Sequence, residues 1–246
     1  MKKSLLLLIL LLSATSDAAP ILNLSLGDSQ DLLDVAPKTL ANTVGIVIAL
    51  TALALAPSLL FMCTSFLRLV VVFSFMRQAM GTQQMPPNSI LISLALVLTF
   101  FIMQPAASKA YEDGVKPYMQ ELIGYDEAYE KIISPFKAFM LKNTRQKDLA
   151  LFYRIKDAPN PNDASSISLD VLLPAFMISE LKSAFQIGFL LYLPFLVIDM
   201  VVASVLMAMG MMMLPPVMIS LPFKILVFVL VDGWNLLVKN LVASFA

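Results

Sequence analysis

Long apolar runs alternate with short polar breaks along this chain. Leu5 to Leu12 is wholly apolar, while Thr43 to Leu67 and Ile90 to Ala107 carry no charge. Ser108 to Asp170 is polar and holds most of the charged residues. Ala184 to Met209, interrupted by Pro194 and Asp199, and Val217 to Val238, interrupted by Pro222, Lys224 and Asp232, are apolar again. A helix needs about 20 apolar residues to cross a bilayer, so the four later runs predict four spans. The first run, at about 8 residues, is too short.

That first run has the layout of a secretory signal. Met1-Lys2-Lys3 is its basic region, Leu5 to Leu12 its apolar region, and Ser16-Asp17-Ala18 offers the small residues a signal peptidase reads. Cleavage is expected after Ala18, because a cut after Ala19 would leave Pro20 behind the scissile bond. The mature amino terminus then lies outside the cytoplasm. This divides the chain into a cleaved signal peptide (1–18), an external segment (19–42) with Asp28, Asp31 and Asp34, a first helical hairpin (43–107), an external helical segment (108–170) and a second helical hairpin (171–246). Pro57 is expected to kink the first span. The loop Arg68 to Ser89 faces the cytoplasm in this arrangement, and its Arg68 and Arg77 with no acidic residue agree with the positive-inside rule. Segment 108–170 is periplasmic, and its length exempts its own basic residues from that rule. Met85-Pro86-Pro87 and Leu214-Pro215-Pro216 open the second and last spans alike, a faint internal repeat that chance also explains.

Within 108–170, Met119, Leu122, Tyr129, Ile132, Ile133, Phe136, Phe139 and Met140 recur near helical spacing, with Phe152 and Ile155 continuing the series. Ser134-Pro135 is expected to divide two helices, and Ala158 to Asp163 forms a loop. The apolar face needs a cover. Either the rest of the chain provides it, or Phe136, Phe139 and Phe152 pack between subunits, since about 60 residues make a thin core alone.

Composition narrows the function. The 246 residues are 59% hydrophobic and 14% charged, with 17 basic and 17 acidic residues, no His and one Cys; mean hydropathy is +0.83. Soluble domains average roughly 45–50% apolar and about 25% charged, so too little charge is present to cover a water-facing globule. Without His there is no Ser-His-Asp triad and no His-bearing zinc site, and a lone Cys63 makes no disulfide within the chain. No enzyme activity, cofactor or metal is expected. A balanced charge gives no reason to expect nucleic acid as a partner.

Two features of the second hairpin invite a function. Its turn, Met209-Gly210-Met211-Met212-Met213-Leu214-Pro215-Pro216, contains no charge where a cytoplasmic turn should be polar. Irregular backbone at membrane depth survives only when buried in protein or lining a passage. Methionine is soft and adaptable, so Met209, Met211, Met212 and Met213 are candidates for a pore gate, with gap-filling in a helical core as the alternative. The second feature is a set of ionisable residues in or near the spans: Glu180, Asp199, Lys224 and Asp232. Such groups face a bundle interior or a cavity. In a hairpin turning near residue 212, Asp199 and Lys224 are about 13 and 12 residues from the turn and so share a depth. Glu180 forms a polar stripe with Ser179, Ser183 and Gln186 at the external end of its span, either buried or simply hydrated at the interface.

Three stretches carry a resemblance. Ser65 to Asn88 (SFLRLVVVFSFMRQAMGTQQMPPN), Phe176 to Phe189 (FMISELKSAFQIGF) and Pro222 to Trp234 (PFKILVFVLVDGW) resemble the FliP family of the bacterial flagellar type III protein-export apparatus, to which injectisome proteins are related. The signal peptide favours the flagellar branch. The resemblance implies an all-α membrane protein of the inner membrane and flagellar basal body, five copies of which assemble with FliQ and FliR in a 5:4:1 gate. FlhB associates with that gate, FliO assists its assembly, and unfolded export substrates pass through. It implies that Met209, Met211, Met212 and Met213 line the constriction, and that Glu180, Asp199 and Lys224 are buried or inter-subunit polar residues. Because the family's helices are strongly bent, the straight-hairpin pairing of Asp199 with Lys224 need not hold, and Glu180 is expected to find its partner across a subunit boundary. The rival reading is a small ion- or proton-coupled secondary transporter that uses Asp199, Lys224 and Asp232 as a relay; an assembly scaffold without a pore is a third.

Overall fold

The structure is a computed structural model in which residues 37–82, 84–157, 159, 167–211 and 214–245 are described. The signal segment, the stretch with Asp28, Asp31 and Asp34, all of the expected loop at 158–163 except Pro159, and Met212 and Met213 lie outside the described residues. Every regular element among the described residues is a helix.

The chain divides into two units, Met1–Ala54 and Leu55–Ala246. Helix α1 (Pro37–Met62) starts in the first and runs unbroken through Pro57. In the first unit its Val44, Ile46, Val47, Ile48, Leu50 and Leu53 are exposed. The helix stops at Met62, short of the expected Leu67, where Thr64 N–H bonds the Phe61 carbonyl and Thr64 Oγ1 donates to the same oxygen. A hydroxyl that competes for a backbone carbonyl favours turns over continued helix.

The second unit is built around α2 (Phe66–Ala79). This corrects the expected loop from Arg68 to Ser89: Leu69, Val72, Phe73, Met76 and Ala79 are completely buried and form the middle of the core. The same cluster takes Leu91 and Ala95 from α3 (Asn88–Ala110), Ala184 and Phe195 from α7 (Leu169–Ala208), Phe228 from α8 (Pro216–Leu230), and Leu237 and Leu241 from α9 (Gly233–Ala243). A helix apolar on all sides belongs inside a bundle. Arg77, read from sequence as a cytoplasmic charge, closes the turn into α3 by donating to Asn88 Oδ1 at 2.5 Å and to the Pro86 carbonyl at 3.4 Å.

Beyond Ala107 the second apolar helix does not stop. A π turn (Tyr111–Val115) carries it into α4 (Lys116–Met119), giving 32 residues from Asn88 to Met119. Then follow α5 (Tyr125–Asn143) and α6 (Gln146–Ile155). The expected division at Ser134-Pro135 is absent, because α5 continues through Pro135 and breaks only at Thr144 and Arg145, both extended. Proline inside a helix costs about 3 kcal/mol; here the buried Ala128 and Met140, on either side of it, hold the helix together. The same holds for α7, one 40-residue helix that contains Pro174 and Pro194 and starts well before the expected Ala184.

The last apolar run is not one continuous helix. It breaks between α8 and α9 with a bend of 64°. Asp232 takes a left-handed backbone (φ 52°), and Gly233 follows it. A Cβ on Gly233 would lie 2.3 Å from the Phe228 ring, which also meets Trp234 edge-on at 5.7 Å. The ring fills the inside of the elbow and only glycine leaves room for it. The described residues thus hold two helices long and apolar enough to cross a membrane, Asn88–Met119 and Leu169–Ala208, and a third if the bent pair counts as one.

Gly188 of α7 serves a comparable close approach. A Cβ there would sit 2.6 Å from Phe75 Cγ and 2.9 Å from its Cβ, atoms near the α2 backbone that cannot swing away. Gly188→Ala should cost about 1–3 kcal/mol by overpacking, read as a lower midpoint of thermal unfolding in detergent.

Candidate functional site

Three polar or irregular features remain once the apolar packing is accounted for. The first is a buried ion cluster at the start of α2. Arg68 projects from its first turn toward Glu180 of α7, donating from Nε to Oε2 at 2.8 Å and from Nη2 to Oε1. The Glu180 side chain is wholly buried and Arg68 nearly so. Arg68 Nη1 reaches the carbonyl and hydroxyl of Ser244 at 3.2 and 2.9 Å, and its guanidinium carbon lies 3.8 Å from the centre of the Phe245 ring. A planar fork matched to a carboxylate and backed by a ring is the arrangement in which arginine outperforms lysine. Glu180 is therefore not a hydrated interfacial residue, and its partner lies in its own chain.

One turn away, the rest of the polar stripe on α7 meets the junction of α5 and α6. Ser179 donates to Asp148 Oδ2 at 2.7 Å and accepts from the Arg145 backbone N–H at 3.1 Å. Arg145 Nη2 donates to Gln186 Oε1 at 2.5 Å and to Ser183 Oγ at 3.4 Å. The break after Thr144 has a purpose: it turns Arg145 and Asp148 onto this stripe.

The second cluster ties the other end of α7 to α8. Lys224, almost wholly buried, donates to Asp199 Oδ2 at 2.6 Å and to the Ala79 carbonyl at the end of α2 at 3.2 Å. Ser220, one helical turn before Lys224, donates to Asp199 Oδ1 at 2.5 Å. Both carboxylate oxygens are thus occupied, and the last carbonyls of α2 receive the cation that a helix carboxyl end favours.

The third feature is the methionine turn. Met211 N–H bonds the Leu206 carbonyl and Gly210 N–H bonds the Met207 carbonyl, with Gly210 at φ 73°. These are the two bonds of a Schellman stop, in which glycine supplies the left-handed residue. Leu206 is buried beneath, while Met209 is 67% exposed and Met211 38%. The turn is anchored on its inner side and presents methionine outward.

The FliP family model matches residues 49–241, almost the entire described bundle. The chain belongs to the FliP family. The Flagellar biosynthetic protein FliP of Bacillus subtilis (strain 168) is 56% identical over 209 residues, which cover 85% of this chain and 95% of that protein. The protein of the same name from Caulobacter vibrioides is 50% identical over 235 residues (96% and 86%), and that of Aquifex aeolicus (strain VF5) is 46% identical over the full length of both.

Each of the three stretches that carry the FliP resemblance supplies one member of the buried clusters: Arg68, Glu180 and Lys224. Sequence reasoning missed Arg68 as the partner of Glu180, Ser220 as a partner of Asp199, and Arg145 and Asp148 as the partners of the stripe around Ser179. Ser220 was accessible, since four residues before Lys224 puts it on the same face; the others join through tertiary contacts that no local spacing reveals. Phe139 spends its ring inside the chain, meeting Phe176 edge-on at 6.1 Å and stacking on Phe245 at 5.9 Å. Phe136 and Phe152 are half-buried.

Proposed function

We propose that this FliP-family chain is the pore-forming subunit of the flagellar type III protein-export gate, passing unfolded flagellar proteins across the bacterial inner membrane. It acts without enzymatic chemistry, as five copies assembled with FliQ and FliR in a 5:4:1 complex, with FlhB bound to the gate and FliO needed during assembly. Segment 108–170 faces the periplasm. The observation that carries this reading is the uncharged methionine turn: a backbone stop fixes its position while Met209 and Met211 point away from the fold of a single chain. Repeated around a ring, such turns close a passage with soft side chains that yield to a polypeptide. Exposed apolar faces on α7 and α8, including Leu190, Val197, Val201, Phe223 and Leu226, give neighbouring subunits or lipid a surface to cover.

The secondary-transporter reading has less support. Asp199 and Lys224 spend their hydrogen bonds on each other, on Ser220 and on a backbone carbonyl, as a structural pair does. Replacing Met211, Met212 and Met213 together with Ala should raise ion leakage in cells expressing the gate. Unchanged leakage would remove the gating role from the turn.

A further inference from the structure

The methionine turn is held on its incoming side by the glycine stop that ends α7. What holds its outgoing side lies elsewhere in the fold. Val217, Ser220 and Lys224 recur on α8 at spacings of three and four, so they share one face of it. Ser220 and Lys224 attach that face to Asp199 of α7, and Lys224 also reaches the Ala79 carbonyl at the end of α2. The turn that follows α2 continues this attachment.

α2 ends in a glycine stop of its own. Gly81 N–H bonds the Gln78 carbonyl at 3.0 Å, Thr82 Oγ1 donates to the Arg77 carbonyl at 3.4 Å, and Gly81 takes φ 76°. A Cβ on Gly81 would lie 3.7 Å from Val217 Cγ1 and 3.8 Å from Lys224 Nζ. Those two residues stand about two helical turns apart on α8, yet both side chains reach the same glycine. α8 therefore lies across the turn, with Gly81 in a saddle between Val217 and Lys224. A methyl group fits there at ordinary contact distance; a longer side chain is aimed into the gap and must push α8 away. Val217 follows Leu214-Pro215-Pro216 directly, so a shift of Val217 is a shift of the methionine turn.

We infer that Gly81 is a positioning residue for the methionine turn: the glycine stop of α2 is the seat on which α8 rests, and it fixes where the outgoing leg of the turn begins. This deepens the gate reading and rests on it. The test compares ion leakage in cells expressing the whole gate, scaled to the amount of assembled complex recovered for each variant. Gly81→Ala and Gly81→Leu carry the same left-handed backbone strain and differ in what enters the saddle. Gly81→Ala should accumulate less complex but leak like the native chain. Gly81→Leu should leak about as much per complex as the variant with Met211, Met212 and Met213 replaced by Ala. Gly81→Leu with Val217→Ala returns the lost space and should restore closure, a coupling expected only of residues in contact. Equal leakage from the two Gly81 variants, or no restoration by Val217→Ala, would overturn the inference. If Gly81→Leu does not assemble, Val217→Ala alone decides. Val217 is half exposed, so that variant should assemble and, with its contact to the seat lost, leak above the native level; native leakage would overturn the inference. Leakage from the triple methionine variant with a tight Gly81→Leu complex removes the seat alone, whereas a tight triple variant removes the gate and the seat with it.

Discussion

Glu180→Ala should destabilise the protein by about 3–5 kcal/mol, the usual cost of removing one member of a buried ion pair. The loss follows from geometry. Arg68 would remain buried with its fork aimed at a void, and its bonds to Ser244 and its contact with Phe245 cannot replace a carboxylate. Since native stabilities run at about 5–15 kcal/mol, the variant should show a steeply reduced yield of membrane-inserted protein and early thermal unfolding in detergent. Replacing both partners by apolar residues of similar size, Arg68→Met with Glu180→Leu, should recover at least half of the loss, because no charge is then stranded. This double variant separates the pair's own energy from any second role of Glu180. Full recovery of stability without recovery of export would place such a role in the assembled complex.

Lys224→Ala is the second large effect, expected at about 3 kcal/mol and measured in the same melts. It removes the cation that holds Asp199 and the end of α2 together, and leaves space where a long side chain was packed. The Asp199 side chain is 26% exposed and can regain some hydration, which sets this loss at the lower end of the range for buried pairs. Lys224→Met keeps the volume and should fall between Ala and the native residue. Asp199→Asn should be milder still, because Asn keeps an acceptor for Lys224 or Ser220.

How much of this was legible beforehand depends on which physical term controls each residue. Hydropathy located the core of α3 and the apolar part of α7, because burial in lipid or protein both demand apolar side chains. It assigned α2 to a loop because Arg68 and Arg77 read as solvated. In the fold one is neutralised by Glu180 and the other closes a turn. Depth arithmetic from the turn brought Asp199 and Lys224 together, since rise per residue is nearly constant in a helix. The partner of Glu180 escaped because it is 112 positions away and joined only by the packing of α2 on α7. Pro135 misled: α5 continues through it, as α7 does through Pro174 and Pro194, whereas the break in the last run falls at Asp232-Gly233, where the missing Cβ matters. Proline's cost is local and packing can outweigh it; a ring occupying the glycine's side leaves no such freedom.

The gate assignment is tested most directly by the native mass and subunit ratio of the complex extracted in mild detergent from flagellated cells. Five copies of this chain with FliQ and FliR at 5:4:1 are expected. A stable monomer that by itself couples an ion gradient to solute uptake in liposomes would contradict it.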